Sequence, residues 1–314
     1  MKISFVIPVF NEAESLQILY QEIIENIVNY DYEIIFIDDG SIDNSFEVLN
    51  NLAHTDNNLK IIKFRRNFGK SAALYFGFQY CTGDIVFTMD ADLQDNPQEI
   101  PTFIEKINLG WDLVTGWKKK RKDPISKTLP SKFFNFITSK TFNLKLHDYN
   151  CGFKAYKREV INELDIYGEM HRYIPALAIA KGFSVTEIEV NHRERRFGKS
   201  KFGFERYLRG FLDLMTVKLV TTFNRSPLYL FGGIGTIISG LGIFIALYLT
   251  IMRFMKLIYL TNRPLLFLSI LLIIVGLQFI SIGLIGELLV NQSRKLNNNN
   301  TVSIKSLINF KTKV

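Results

Sequence analysis

Asp90, Asp92 and Asp95 place three carboxylates within six positions of Phe87-Thr-Met-Asp-Ala-Asp-Leu-Gln-Asp-Asn-Pro97. They follow an apolar, β-branched and aromatic run, Ile85 to Met89, that reads as a short buried strand. In open α/β sheets, ligands gather beyond the carboxyl ends of the strands. An unpaired buried carboxylate is costly, so acidic residues at such a position seldom serve a core. Asp90 and Asp92 can instead offer oxygens to Mg2+ or Mn2+. These hard cations take one or two carboxylates and fill their remaining positions with water and phosphate. The bland alternative is a solvated acidic turn, which is what an isolated Asp-x-Asp usually is.

Two further polar clusters follow strand-like runs, Asn11-Glu12 after Ile3–Val9 and Asp38-Asp39-Gly40-Ser41 after Glu33–Ile37. Cations collect later in the chain. Lys118-Lys-Lys-Arg-Lys122 reads either as a solvated loop or as an attractor of anionic headgroups or substrate. Arg172, Arg193, Arg196 and Lys201 supply further cations, and Ser200 a hydroxyl donor. Neither Gly69-Lys-Ser nor Gly198-Lys-Ser is a P-loop, because the required first glycine is Phe64 or Arg193. No Gly-x-Gly-x-x-Gly opens a helix.

Strands must carry these clusters and helices must separate them. Asn11 reads as an N-cap with Glu14 three residues on, and Leu16, Leu19, Ile23 and Ile27 continue at helical spacing. Strands are expected at Leu59–Phe64, Asp112–Gly116 and Thr186–Val190, with helices at Ser71–Tyr80, after Pro97, at Ala155–Leu164 and from Met170 to Lys181. Alternation of this kind argues for a parallel, doubly wound α/β sheet. It would place the three acidic clusters along one edge.

The 314 residues exceed such a domain. No charge interrupts Ser226–Met252 or Pro264–Gly286, and both runs exceed the roughly 20 residues that cross a bilayer. They form a hairpin. Phe204 to Val220 is amphipathic and suits the headgroup level, and Lys132 to Phe142, which mixes bases and aromatics, reads either as a helix on the membrane surface or as a packed core helix. In the first span, Gly235-x-x-x-Ser239 and Thr236-x-x-x-Gly240 either permit close helix approach or are merely small. The start of the chain lacks the pattern of a secretory signal. The expected plan is a cytoplasmic α/β domain over 1–202 and an amphipathic juxtamembrane segment over 203–225. Two transmembrane helices follow within 226–290 (about 227–252 and 264–287), then a tail over 291–314 expected to be disordered. Cys81 and Cys151 make no disulfide framework. The net charge of +8 favours anionic membrane lipid as a partner. No nucleic-acid-binding motif is present.

Val6-Ile-Pro-Val-Phe-Asn-Glu12, Asp38-Asp-Gly-Ser41, Met89 to Asp95, the Asp148 segment, His171-Arg-Tyr-Ile-Pro175 and Arg196-Phe-Gly-Lys-Ser-Lys-Phe202 occur in order. This ordered set resembles family-2 glycosyltransferases of the polyprenyl-phosphate sugar transferase kind, over about residues 3–220. The hairpin matches their bacterial bactoprenol branch. Gln-x-x-Arg-Trp, the mark of processive polysaccharide synthases, is missing, since neither tryptophan follows an arginine.

The resemblance implies a GT-A (Rossmann-like), mostly parallel fold in the bacterial inner membrane with its catalytic domain cytoplasmic. It implies inverting transfer of one sugar from a nucleotide-sugar donor to a polyprenyl phosphate, with Mg2+ or Mn2+ as cofactor. UDP-glucose is the favoured donor and GDP-mannose the next. Pro8, Phe10, Glu12, Asp38, Asp39, Asp90 and Ala91 would contact the donor, and Asp90 and Asp92 the metal. Asp92, Gln94, Asp95, Asp148 and Arg172 would serve catalysis, and Arg193, Arg196, Ser200 and Lys201 the acceptor phosphate. Solvated surface arginines and helix-entry polar residues are the bland counterparts. Rival readings are a protein or glycan acceptor, or a non-catalytic nucleotide-sugar-binding scaffold. Small residues in the spans also suit association into a homo-oligomer.

Overall fold

The computed structural model describes residues 1–119, 139, 146–194, 227–255, 264–295 and 304–309. The chain divides into two compact units, Met1–Val217 with Thr301–Val314, and Lys218–Asn300.

In the first unit, β-branched and aromatic runs form β1 (Lys2–Val9), β2 (Asp31–Asp38), β3 (Leu59–Phe64), β4 (Ile85–Thr88) and β5 (Leu113–Trp117). Between them lie α1 (Ala13–Asn26), α2 (Ser45–Thr55), α3 (Lys70–Tyr80) and α4 (Ile100–Asn108), the last entered by a 3-10 turn at Pro97–Glu99. Then come β6 (Lys154–Lys157), α5 (Arg158–Glu163), a 3-10 turn at Met170–Tyr173, α6 (Ile174–Ala180) and β7 (Val185–Glu189). The sheet order is β7-β5-β6-β4-β1-β2-β3, closed on the β3 side by β8 (Ile304–Ile308). β3-β2-β1-β4 and the β5-β7 pair are parallel, whereas β6 runs antiparallel between β4 and β5. One face packs Phe5, Phe87 and Phe153 beneath α1, α2 and α4, which contributes Phe103, and the other packs Val6, Ile35, Ile62 and Tyr156 beneath α3 and α5. The central strands are buried on both sides, as parallel strands generally are.

Two expectations are corrected here. The helix read over Ala155–Leu164 begins at Arg158, because Lys154 to Lys157 pair with β4 as a strand. The tail expected to be disordered contains β8, antiparallel to β3. Asn309 secures its end by donating to the carbonyls of Ala53 and Leu59 at 3.1 and 2.9 Å. A covered edge strand no longer offers unpaired backbone groups to another chain.

The second unit is a helical hairpin, α7 (Pro227–Phe254) and α8 (Pro264–Lys295), with spans of 28 and 26 residues long and apolar enough to cross a membrane. A Cβ on Gly235 would fall 2.5 Å from the Gly276 carbonyl oxygen, and one on Gly242 would fall 2.7 Å from that of Ser269. Gly235 and Ser239 therefore do line the seam. A Cβ on Gly240 would meet nothing within 4 Å, so the Thr236–Gly240 pair does not. The chain leaves the first unit before α7 and rejoins its sheet through β8 after α8. Two apolar helices of this length are consistent with an inner-membrane protein that carries a cytoplasmic domain. The amphipathic segment, the 132–142 stretch (apart from Ser139), Arg196, Ser200 and Lys201 lie outside the described residues.

Candidate active site

The site begins where β1 and β2 end side by side. Asn11 adopts a φ of 54°, a left-handed conformation that asparagine tolerates better than most residues. Its amide oxygen accepts the Ile42 N–H at 2.8 Å, its own N–H donates to Ser41 Oγ at 3.0 Å, and the Glu12 N–H donates to Ser45 Oγ at 2.9 Å. The two loops are thus laced together. The N-cap reading of Asn11 is corrected: Glu12 occupies the cap position, the Asn11 oxygen is engaged by Ile42, and Asp43 Oδ2 accepts the first N–H of α1, that of Ala13, at 3.2 Å. Pro8 and Phe10 flank this junction, half-buried.

Asp38 and Asp39 are both buried. Asp38 Oδ1 accepts the Ser41 N–H at 2.8 Å, and Asp39 accepts the N–H groups of Phe68 and Gly69 at 2.7 and 2.9 Å. Burial pushes the Asp39 carboxyl up to about 6, with Asp38 adding to the rise and the two N–H bonds opposing it. Gly40, at a φ of 72°, lets the β2 loop meet the backbone of Arg66, where a Cβ would fall 2.4 Å away.

β4 delivers the acidic loop. Leu93 holds a φ of 62° with its side chain buried, a conformation that costs a branched residue roughly 1–2 kcal/mol. Asp92 Oδ1 accepts the Gln94 N–H at 3.2 Å. Asp90 and Asp92 are half-buried, with Ala91 buried between them. The Lys70 ammonium is paired with Asp90 Oδ1. Asp95 is buried and pairs with Lys118 at 3.0 Å. Burial opposes ionisation of Asp90, but Lys70 and Lys118 outweigh it and hold the carboxyl well below the usual carboxylate range.

The segment before β6 closes over this loop. Thr88 Oγ1 donates to the Gly152 carbonyl at 2.8 Å, and a Cβ on Gly152 would fall 2.5 Å from Asp90 Oδ2. Only glycine leaves the carboxylate its place. Asp148 is buried, with Oδ1 accepting the Asn150 N–H at 3.1 Å. Lys154, also buried, donates to the Cys151 carbonyl. Burial and the nearby Lys70 push its ammonium down to about 8, against the pull of Cys151, Asp148 and Asp90. His171 Nδ1 lies 3.0 Å from Ser71 Oγ. Burial, then Lys70, Arg172 and Lys154, press its pKa well below 6.5, so the ring is neutral at physiological pH. Arg172 is buried and paired with Glu169 at 2.6 Å, and its Nε has no partner among the described residues.

Lys70, Lys118 and Lys154 thus link Asp90, Asp95 and Asp148 electrostatically at the carboxyl edge of the sheet, Arg172 adjoins through His171, and Asp92 and Gln94 share the loop of Asp90. Gln94 faces the other way as well, with Nε2 3.4 Å from His192 Nε2 and its carbonyl accepting the Arg193 N–H at 3.0 Å. Arg193, expected at the acceptor phosphate, has protein partners in this structure. Its guanidinium makes bonds of 2.8 and 2.6 Å to Glu22 and of 2.6 Å to Asn96, tying the segment after β7 to α1. Three contributors escaped the sequence reading: Lys154, Gly152 and Lys70. The last stands in the very Gly-Lys-Ser tripeptide that fails as a P-loop.

Among the described residues, no three of His, Cys, Asp and Glu are grouped as a closed metal site would need. Asp90 and Asp92 nonetheless fit a hard divalent cation. Their oxygens suit Mg2+ or Mn2+, which draw their remaining ligands from phosphate and water.

Comparison with known proteins agrees with this architecture. Residues 4–165 match the model of "Glycosyl transferase family 2". A dodecaprenyl-phosphate galacturonate synthase of Rhizobium johnstonii is 32% identical over 296 residues, covering 92% of this chain and 88% of its own. An undecaprenyl-phosphate 4-deoxy-4-formamido-L-arabinose transferase of Pseudomonas fluorescens is 36% identical over 291 residues, covering 91% and 84%. Among solved structures, glucosyl-3-phosphoglycerate synthase of Mycobacterium tuberculosis with Mn2+, UDP and glucosyl-3-phosphoglycerate superposes with a TM-score of 0.55 at 15% identity, over 70% of this chain and 79% of that one. That likeness is one of fold. The chain belongs to glycosyltransferase family 2 and is homologous to its polyprenyl-phosphate sugar transferases.

Proposed function

We propose that the chain transfers one sugar from a nucleotide-sugar donor to a polyprenyl phosphate at the cytoplasmic membrane face, for use in cell-envelope glycans. The observation that carries this reading is the Asp90–Asp92 loop, set among lysines at the sheet edge of a chain that also holds a membrane hairpin. The curated relatives support it, as both are named for a polyprenyl-phosphate acceptor. An acceptor phosphate oxygen attacks the anomeric carbon from the face opposite the diphosphate. The new carbon–oxygen bond forms as the bond to the nucleoside diphosphate breaks, and configuration inverts.

A phosphate monoester has a second pKa of about 6, so the nucleophile is already largely dianionic and needs no strong base. The protein's task is to handle charge. Asp90 and Asp92 are the residues that would hold Mg2+ or Mn2+, and the ion would supply Lewis-acid stabilisation of the departing diphosphate. Glu12, Asp38 and Asp39 line the nucleoside end. Gln94 and Asp95 lie on the side of the transferred sugar, with Lys118 paired to Asp95. Asp148 positions the acceptor end. Exposed Phe244, Leu247 and Ile251 on α7 and Leu277 and Ile285 on α8 meet lipid or a second copy of the hairpin.

The sugar is the open variable. The relatives are named for galacturonate and 4-deoxy-4-formamido-L-arabinose, so the donor panel carries those sugars beside UDP-glucose and GDP-mannose. Solubilised full chain is incubated with each labelled donor and undecaprenyl phosphate. One donor should send label into organic solvent, with loss in EDTA and recovery in Mn2+ or Mg2+. Label that stays in protein or aqueous glycan would move the acceptor elsewhere. If no donor is consumed, the chain is a scaffold.

A further inference from the structure

The loop between β3 and α3 touches both acidic ends of the site. Phe68 and Gly69 donate their N–H groups to Asp39 at 2.7 and 2.9 Å, and Lys70, the next residue, sets its ammonium on Asp90 Oδ1. Gly69, at a φ of 93°, makes the turn that starts the helix at Lys70. A three-residue strap thus joins the carboxylate after β2 to the carboxylate after β4.

The two lysine–aspartate pairs of the site differ in kind. Lys118 and Asp95 keep 12% and 1% of their side-chain surface exposed, whereas Lys70 and Asp90 keep 30% and 34%. Asp95 has a fixed partner, and Asp90 has an exchangeable one. Asp90 turns Oδ2 toward Gly152 and Oδ1 to Lys70; an ammonium and a divalent cation repel each other, so a cation that takes Oδ1 displaces Lys70. Lys154 and His171 are its neighbours there, and neither offers a negative charge. An incoming anion does, and the donor's diphosphate is the anion that this reaction brings.

We infer that Lys70 is a positioning residue that covers Asp90 in the donor-free enzyme and passes to the donor's diphosphate on binding, so that cation and nucleotide load together. This rests on the donor reading above and adds an order of loading to it. No covalent bond changes; one ion pair is exchanged for another. Removing the ammonium therefore has opposite effects on the two ligands, which a merely structural lysine would not produce.

The test uses the full chain in detergent, with Mn2+ followed by electron paramagnetic resonance, alone and with UDP or GDP. Circular dichroism confirms folding of each variant. Lys70→Met is expected to bind Mn2+ alone roughly fivefold to tenfold tighter than wild type, and to bind nucleotide more weakly by a similar factor. Lys70→Arg keeps the wild-type pattern. Unchanged Mn2+ affinity in Lys70→Met, or both affinities falling together, overturns the inference. Wild-type protein that takes up no Mn2+ with either nucleotide overturns the metal reading itself, a result distinct from the other two.

Discussion

Asp90 is held from two sides, by the Lys70 ammonium and by the backbone of Gly152. The second contact has a direct consequence. A methyl group on Gly152 would fall 2.5 Å from Asp90 Oδ2, so Gly152→Ala must displace the carboxylate while leaving the strands intact. Sugar transfer is expected to fall by about 100-fold or more, the scale of a misplaced catalytic group, with an unchanged circular dichroism spectrum. Lys154 offers a test by pH. Its ammonium titrates near 8 in the folded chain, against 10.5 as an ordinary lysine. Between those values the unfolded chain binds the extra proton, so Lys154 makes stability rise with pH across that window. Urea melts from pH 8 to 10.5 should show that rise in wild type relative to Lys154→Met. Parallel pH profiles for the two proteins would remove the assignment.

At the scale of elements, the end of the sheet opposite the site is fastened by one carboxylate. Glu33 in β2 accepts from Ser4 Oγ at 2.5 Å, pairs with Lys60 at 2.6 Å, and also receives Thr82. Burial alone would raise its pKa, but Lys60, Ser4 and the Thr82 N–H prevail and hold it at about 2. Its contribution is full above pH 4.5 and fades as pH falls toward 2. Glu33→Gln should destabilise the chain by roughly 1–3 kcal/mol at neutral pH and leave the KM for donor unchanged. A shifted KM would show that this end communicates with the site. β8 makes a separate claim. Deleting 301–314 uncovers β3, and the truncated chain should aggregate more readily on size exclusion. An equally monodisperse truncation would show that the β3 edge needs no cover.

Across the whole molecule, the parts legible in the sequence are those with long-range pattern. Apolar runs ending in Asn11-Glu12, Asp38-Asp39 and Asp90-Ala-Asp92 announced parallel strands with their acids on one edge. Two long uncharged runs announced α7 and α8. Short or conditional features were illegible. Lys154 to Lys157 is four residues long and runs straight into a helix, so only its pairing with β4 makes it a strand. β8 likewise forms because an edge is there to receive it. Arg193 reads as a free cation until folding brings Glu22, far off in the chain, within 2.6 Å. Lys70 enters the site through the same kind of long-range contact, which no local motif encodes.

The central claim is that Asp90 and Asp92 carry the chemistry of transfer to a lipid phosphate. The most direct measurement is label transferred from donor to undecaprenyl phosphate by purified wild-type chain and by Asp92→Ala, with Mn2+ present. The account expects organic-soluble product from wild type and a loss of about 1000-fold in the variant, the scale of a removed charge-stabilising group, with folding and membrane insertion preserved. Equal transfer by both proteins would contradict it.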